Sequence, residues 1–315
     1  MRKCVCLVLF FALLLVSGCA GEPLAAEKQI SFTDSVGNAI SLEKAPEKVA
    51  VLFSSYAEIW NLAGGTVSVT VGESVQRGFV SADTPLVDEG AGKTIDLELL
   101  LAQQPDLVIG SADIDGQREV CGQLRQAGIP AALFRVDTFS EYLHMLEICC
   151  DITGNRQAYE EHGTAVQRRI DGLLAAVEEA ELPQKKILFI RAGSQYSATK
   201  AKRAPDNFVC IMLEELGACN IADEAEILLD GLSLEEILLQ DPDYLFLTTM
   251  GKEAAAVGYI SDLFAQEGWR TLTAVQNGCY TFLEKDLFHF KPNARWAEAY
   301  ELLAKLLYPE LKLGE

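Results

Sequence analysis

Apolar positions in this chain switch repeatedly between two periods. Runs of the buried-strand type at 49–53, 67–71, 107–109 and 131–136 alternate with amphipathic, helix-type stretches at 56–63, 96–103 and 118–127. Gly64, Gly65 and Gly128 stop two of those stretches. Thr138 and Glu141 have the spacing of a capping box and open a helix that stops near Gly154. Ahead of these elements, residues 30–42 read as a hairpin turning at Gly37 and Asn38. The same programme then recurs, with strands at 187–190, 244–247 and 280–283. Its helices fall at 207–216, 233–240 and 294–307, with Ser233 and Glu236 as a second capping box. This alternation predicts parallel sheets covered on both faces.

One stretch is written almost twice. Residues 96–109 and 233–246 lie 137 residues apart and share Leu97/Leu234, Glu98/Glu235, Gln103/Gln240, Pro105/Pro242 and Asp106/Asp243. Each copy is an N-cap residue, a short helix, a Pro-Asp turn and an apolar strand. A single repetition at that distance predicts two related lobes and not a solenoid. Between them, residues 155–182 carry Tyr159, Val166, Ile170, Leu173 and Val177 at helical spacing, and Pro183 ends the pattern. At the standard rise such a helix would reach about 42 Å. The fold class expected is therefore α/β: two Rossmann-like lobes with mainly parallel sheets, joined by one long α-helix. Residues 30–154 form the first lobe, 155–182 the linking helix and 183–315 the second lobe.

The start of the chain has another logic. Arg2 and Lys3 precede an apolar run over 4–16, too short to span a bilayer comfortably, which ends in Val16, Ser17, Gly18 and Cys19. That tetrad resembles a bacterial lipobox, so residues 1–18 are expected to be a signal peptide. Cys19 is expected to be the lipid-attachment site and residues 19–29 a flexible tether. Loss of Arg2 and Lys3 takes the formal charge from −20 to −22. Nucleic acid needs a basic face, so a polyanion-binding role is excluded. Six cysteines remain: Cys121, Cys149, Cys150, Cys210, Cys219 and Cys279. None has metal-type spacing, and small buried thiols are preferred over a disulfide framework.

Two lobes, a helical strut and a membrane tether resemble the substrate-binding lipoproteins of ABC importers, in particular the iron-complex and corrinoid group. The marks are the Leu-Glu to Pro-Asp unit in both lobes, the run 217–222, Trp269 followed by 272–275, and the run 291–300. The resemblance implies a non-enzymatic, extracytoplasmic receptor, lipid-anchored to the membrane and monomeric. Such a receptor captures a ferric siderophore, haem or corrinoid and delivers it to an ABC permease with its ATPase. It also implies that Glu98 and Glu235, one on each lobe, meet arginines of that permease. The residues by themselves allow a plainer reading, since a carboxylate in a first helical turn gains about 0.3–1 kcal/mol from the helix dipole.

Open α/β sheets bind ligands beyond the carboxyl ends of their strands. That places Ser55, Tyr56, Lys93 and Ser111 on the first lobe. Arg191, Tyr196, Lys202, Arg203, His289, Lys291 and Arg295 follow on the second. The segment 191–206 holds four basic residues, Arg191, Lys200, Lys202 and Arg203, against the single acid Asp206. It is either a solvated loop or a basic wall for an anionic ligand, and the second reading is preferred. His289 could bind an iron or cobalt centre or make only a local contact. With three dispersed histidines no bare-metal site is expected, nor is a resident cofactor. Gly92, Lys93 and Thr94 imitate the end of a P-loop, but the earlier glycine it requires would fall at Val87. Two other classes remain: a chelatase-like tetrapyrrole enzyme, and a surface signalling lipoprotein without cargo.

Overall fold

The computed structural model describes residues 29–88 and 94–311. The expected signal peptide, Cys19 and Lys93 lie outside the described residues. The chain opens with the antiparallel hairpin of β1 (Ile30–Thr33) and β2 (Ala39–Leu42). The Asp34 carboxylate accepts hydrogen bonds from the Asn38 amide at 2.8 Å and from the Leu133 amide at 2.9 Å, which ties the turn to the first sheet.

That sheet comprises β3 (Val49–Val51), β4 (Val67–Thr70), β5 (Leu107–Ser111) and β6 (Ala131–Phe134). All four are parallel, in the order β4-β3-β5-β6. The helices of this lobe are α1 (Ser54–Leu62), α2 (Gly72–Gln76), α3 (Leu97–Ala102), α4 (Asp115–Gln126) and α5 (Phe139–Thr153). The capping box of α5 forms as the sequence predicts: the Thr138 hydroxyl accepts from the Glu141 amide, and the Glu141 carboxylate accepts from the Thr138 amide.

A strut follows: α6 (Arg156–Tyr159), a π-helical turn over Glu160–Thr164, and α7 (Ala165–Glu179). The linking helix thus carries a π-bulge that periodicity alone did not predict. Gly163 sits in it because a Cβ there would lie 3.0 Å from a methyl carbon of Leu143.

The second sheet holds β7 (Lys186–Ala192), β8 (Lys200–Ala201), β9 (Cys219–Asn220), β10 (Tyr244–Thr249) and β11 (Tyr280–Phe282). The order is β11-β10-β7-β8, with β9 also on β7, and every pair is parallel except β7 with β8. Its helices are α8 (Phe208–Glu215), α9 (Ile227–Asp230), α10 (Leu234–Gln240) and α11 (Glu253–Phe264). They are followed by α12 (Thr273–Gln276), α13 (Lys285–Phe288) and α14 (Trp296–Leu307).

The written repeat is a structural repeat. The Asp106 carboxylate accepts from the amides of Glu47 and Lys48 at the entry to β3, and Asp243 accepts from the amide of Lys186 at the entry to β7. Gln104 and Asp241 both take positive φ, 54° and 41°, directly before Pro105 and Pro242. A following proline disfavours the right-handed helical region, so both copies leave their helix the same way. One expectation fails here. Ser233 occupies the N-cap of α10 but its side chain caps nothing, whereas Asp96 at the same place on α3 accepts from the Leu99 amide at 2.9 Å.

Each sheet has an outer apolar layer of its own, around Val108 and Leu124 in the first lobe and Leu245 and Ile260 in the second. Their inner layers merge into one core through α1, α5, α7, α8 and α14. Cys121, Cys149, Cys150 and Cys210 are buried thiols in these layers, and no disulfide occurs among the described residues. Burial pushes the Cys121 thiol up to about 12, so it behaves as a small apolar residue.

Candidate functional site

A cleft of about 390 Å³ opens where the two lobes meet. Phe53, Tyr56, Ser111 and Asp137 line it from the first lobe, and Pro205, Asn207 and Lys291 from the second. The first-lobe residues stand at or just beyond the carboxyl ends of β3, β5 and β6, where parallel strands deliver them. A second cavity of about 320 Å³ opens along the same seam, bounded by Glu58, Arg77, Phe79, Asp286 and Arg295.

Between the two cavities, residues 290–293 of the second lobe cross onto α1. The Lys291 ammonium donates to the Asp137 carboxylate at 2.6 Å and lies over the Phe208 ring. The Asn293 side chain donates to the Ser55 carbonyl at 2.8 Å and to the Glu58 carboxylate at 2.7 Å. Asn293 is fully buried with φ at 52°, a left-handed conformation that asparagine tolerates better than most residues. Burial raises the Glu58 pKa, against the lowering effects of the Asn293 hydrogen bond and the Arg77 charge.

Several expected ligand residues prove to have other work. Helix α1 begins at Ser54, two residues earlier than the periodicity predicts, and this buries Ser55. The Ser55 hydroxyl accepts from the Arg77 guanidinium at 3.0 Å. Tyr56 presents its ring to the cleft, but its hydroxyl donates to the Phe134 carbonyl at 2.9 Å, and burial raises its pKa far above the ordinary value. Ser111 is buried at the cleft wall and accepts from the Asp113 amide at 3.2 Å. Tyr196 is exposed and reaches back over Gly231, where a Cβ would meet its hydroxyl, so it does not join the cleft lining.

The basic residues sort into two groups. Arg203 pairs with Asp206 at 3.4 Å, Arg295 pairs with Glu298 at 2.8 Å, and Lys291 pairs with Asp137. Arg191 and Lys202 have no ion-pair partner among the described residues. Burial, followed by the Arg191 charge, lowers the Lys202 pKa. His289 stands exposed at the rim of the seam. Desolvation by the surrounding protein, then the Lys285 charge, lowers its pKa and favours the neutral ring. Glu98 and Glu235 are both exposed in the first turns of α3 and α10.

Arg77 and Glu73 escape the sequence reading. The guanidinium of Arg77 lies 4.5 Å from the Phe79 ring centroid and 4.0 Å from that of Phe290, so it is stacked between rings of both lobes. Glu73 accepts a hydrogen bond from the Ser54 hydroxyl. Both follow β4, and the carboxyl-end rule applied to that strand would have found them. Among the described residues no group of three or more His, Cys, Asp or Glu is placed to hold a metal ion. None of their helices is long and apolar enough to cross a membrane.

The profile of the periplasmic binding protein family matches residues 49–287, which spans the sheets of both lobes and ends just before the seam-crossing segment 290–293. The chain belongs to the periplasmic binding protein family. Members of this family work outside the cytoplasm. No curated protein matches the chain. Among solved structures it is similar to the TroA-like periplasmic binding protein FepB from Veillonella parvula, with a TM-score of 0.72 and 19% identity over 91% of this chain and 92% of that one. It is also similar to the periplasmic heme-binding protein RhuT from Roseiflexus sp. RS-1, with a TM-score of 0.67 and 20% identity over 84% of this chain and 99% of that one. SirA from Staphylococcus aureus, solved with staphyloferrin B, gives a TM-score of 0.67 and 17% identity over 90% and 99%. At these identities the structural likeness establishes the two-lobed fold.

Proposed function

We propose that this chain is the extracytoplasmic solute-binding receptor of an ABC importer, and that it captures a metal-chelate nutrient in the seam between its lobes. The observation that carries this reading is the cleft itself. It lies beyond the carboxyl ends of the strands, takes walls from both lobes, and stands on an apolar core that the lobes share. Family membership supports it, as do the haem named for RhuT and the staphyloferrin B held by SirA. The working division is 30–154 and 183–315 as lobes and 155–182 as the strut, acting as a monomer. Cys19 serves as the lipid anchor, and the exposed acids Glu98 and Glu235, one on each lobe, as the permease-docking points. Arg191, Lys202 and His289 face the cargo with Ser111, while Lys291 and Ser55 hold the seam together.

With a shared core and a helical strut, closure is a small rocking motion and not a wide hinge. The experiment is uptake of radiolabelled iron as haem and as ferric siderophores by cells with and without this chain. Loss of uptake of one such chelate on removal, restored by the intact chain, is the expected result. Unchanged uptake of every chelate would count against the receptor role.

A further inference from the structure

Strands β7 and β8 pair antiparallel with Arg191 directly opposite Lys200. Residues directly opposite in such a ladder share a face, and like charges there are destabilising. Lys202 lies two residues beyond Lys200 and therefore on the same face, with its amide bonded to the Phe189 carbonyl. Three cations are thus gathered at the carboxyl end of β7, in a chain whose formal charge is −20. None of the three has an ion-pair partner among the described residues, although other cations of the seam do. The Arg191 Nε is buried with no acceptor among the described residues, a group that costs free energy unless something arrives to accept from it.

The surroundings do not neutralise the cluster. Asp206 is tied to Arg203, and Glu73 across the seam accepts from Ser54. His289 adds no negative charge on its side, and Lys285 behind it is cationic. Burial, then the Arg191 charge, lowers the Lys202 pKa, and the Asp206 charge opposes this only in part. Residues 204–207, starting two residues beyond Lys202 along the chain, line the cleft, so the cluster adjoins that lining without being part of it.

We propose that Arg191, Lys200 and Lys202 form an anion platform on the second-lobe wall, and that the cargo is a chelate presenting clustered carboxylate oxygens to it. The proposal rests on the receptor reading and names the substrate class of that same site. Forked Arg and point-charge Lys donors suit carboxylates, whereas a neutral or cationic hydroxamate chelate leaves the three charges uncompensated.

The test is equilibrium dialysis of the full chain in detergent against ferric citrate, haem and a ferric trihydroxamate, each at low and high salt. Wild type should retain a carboxylate-bearing complex in preference to the trihydroxamate, with affinity falling as salt rises. Ferric citrate and haem are separate arms, so the preferred arm identifies the carboxylate source. The Lys200→Gln/Lys202→Gln double variant should bind that complex about tenfold or more weakly, the loss of charge-assisted bonds. Its melting temperature without ligand should equal or exceed that of wild type, because like-charge repulsion is relieved. That readout separates lost binding from lost folding. Preference for the trihydroxamate, or undiminished binding by the double variant, would overturn the anion platform and leave the receptor reading standing. Retention of none of the three would overturn both.

Discussion

Replacing Trp296 with alanine should destabilise the protein by about 3–5 kcal/mol, the range for removing a fully buried large aromatic. Trp296 has no exposed surface and stands where the two lobes share their core. Its ring meets Phe139 of α5 at 6.2 Å, Phe208 of α8 at 5.6 Å and Tyr300 one turn along its own helix at 6.3 Å. The first two contacts are edge-to-face, the arrangement in which aromatic pairs add to simple burial. Its Nε1 is buried with no acceptor among the described residues, so truncation removes packing and no hydrogen bond. Denaturant unfolding followed by circular dichroism measures the effect, with a lowered midpoint at unchanged slope as the expected outcome. A loss below about 1 kcal/mol, far under the range for a buried aromatic, would mean that α14 does not join the lobes as described.

Charge reversal at both proposed docking acids, Glu98→Arg with Glu235→Arg, should abolish uptake while leaving chelate binding intact. Both side chains are exposed and lie outside the cleft lining, so no cargo contact is lost. Each substitution forfeits about 0.3–1 kcal/mol of helix-dipole stabilisation, too little to unfold the chain. Setting two like charges against the cationic permease face proposed for these acids costs several kcal/mol, which lowers uptake by about a hundredfold or more. The pairing of the two sites is expected to show in the single variants, each impaired less than the double. Normal uptake by the double variant, with binding also normal, would remove these acids from the docking face.

The architecture was legible because the repeat carries its own structural instructions. Asp106 and Asp243 are repeated because each holds the start of a neighbouring strand, and the residues before Pro105 and Pro242 share one unusual turn. What the sequence left hidden depends on distance in space. The Lys291 to Asp137 pair joins residues 154 apart, and no pattern along the chain announces it. Arg203 with Asp206 and Arg295 with Glu298 are different, since both are separated by three positions and their neutralisation could have been read directly. The π-bulge at 160–164 answers to the packing of Gly163 on Leu143, which periodicity does not encode. Ser233 shows the reverse failure, a correct capping signature left unused by the fold. Arg77 was missed because the segment after β4 carries little apolar pattern, although its position beyond a parallel strand is informative.

A metal chelate held in the seam between the lobes carries its own colour, so an absorbance spectrum after desalting reads its presence. The full chain in detergent is incubated separately with haem, a corrinoid and ferric siderophores, then passed through a desalting column. One of these chromophores should be retained at about one equivalent per chain, held in the cleft lined by Tyr56, Ser111 and Lys291. Protein that emerges colourless from every incubation would mean that none of these chelates occupies the seam.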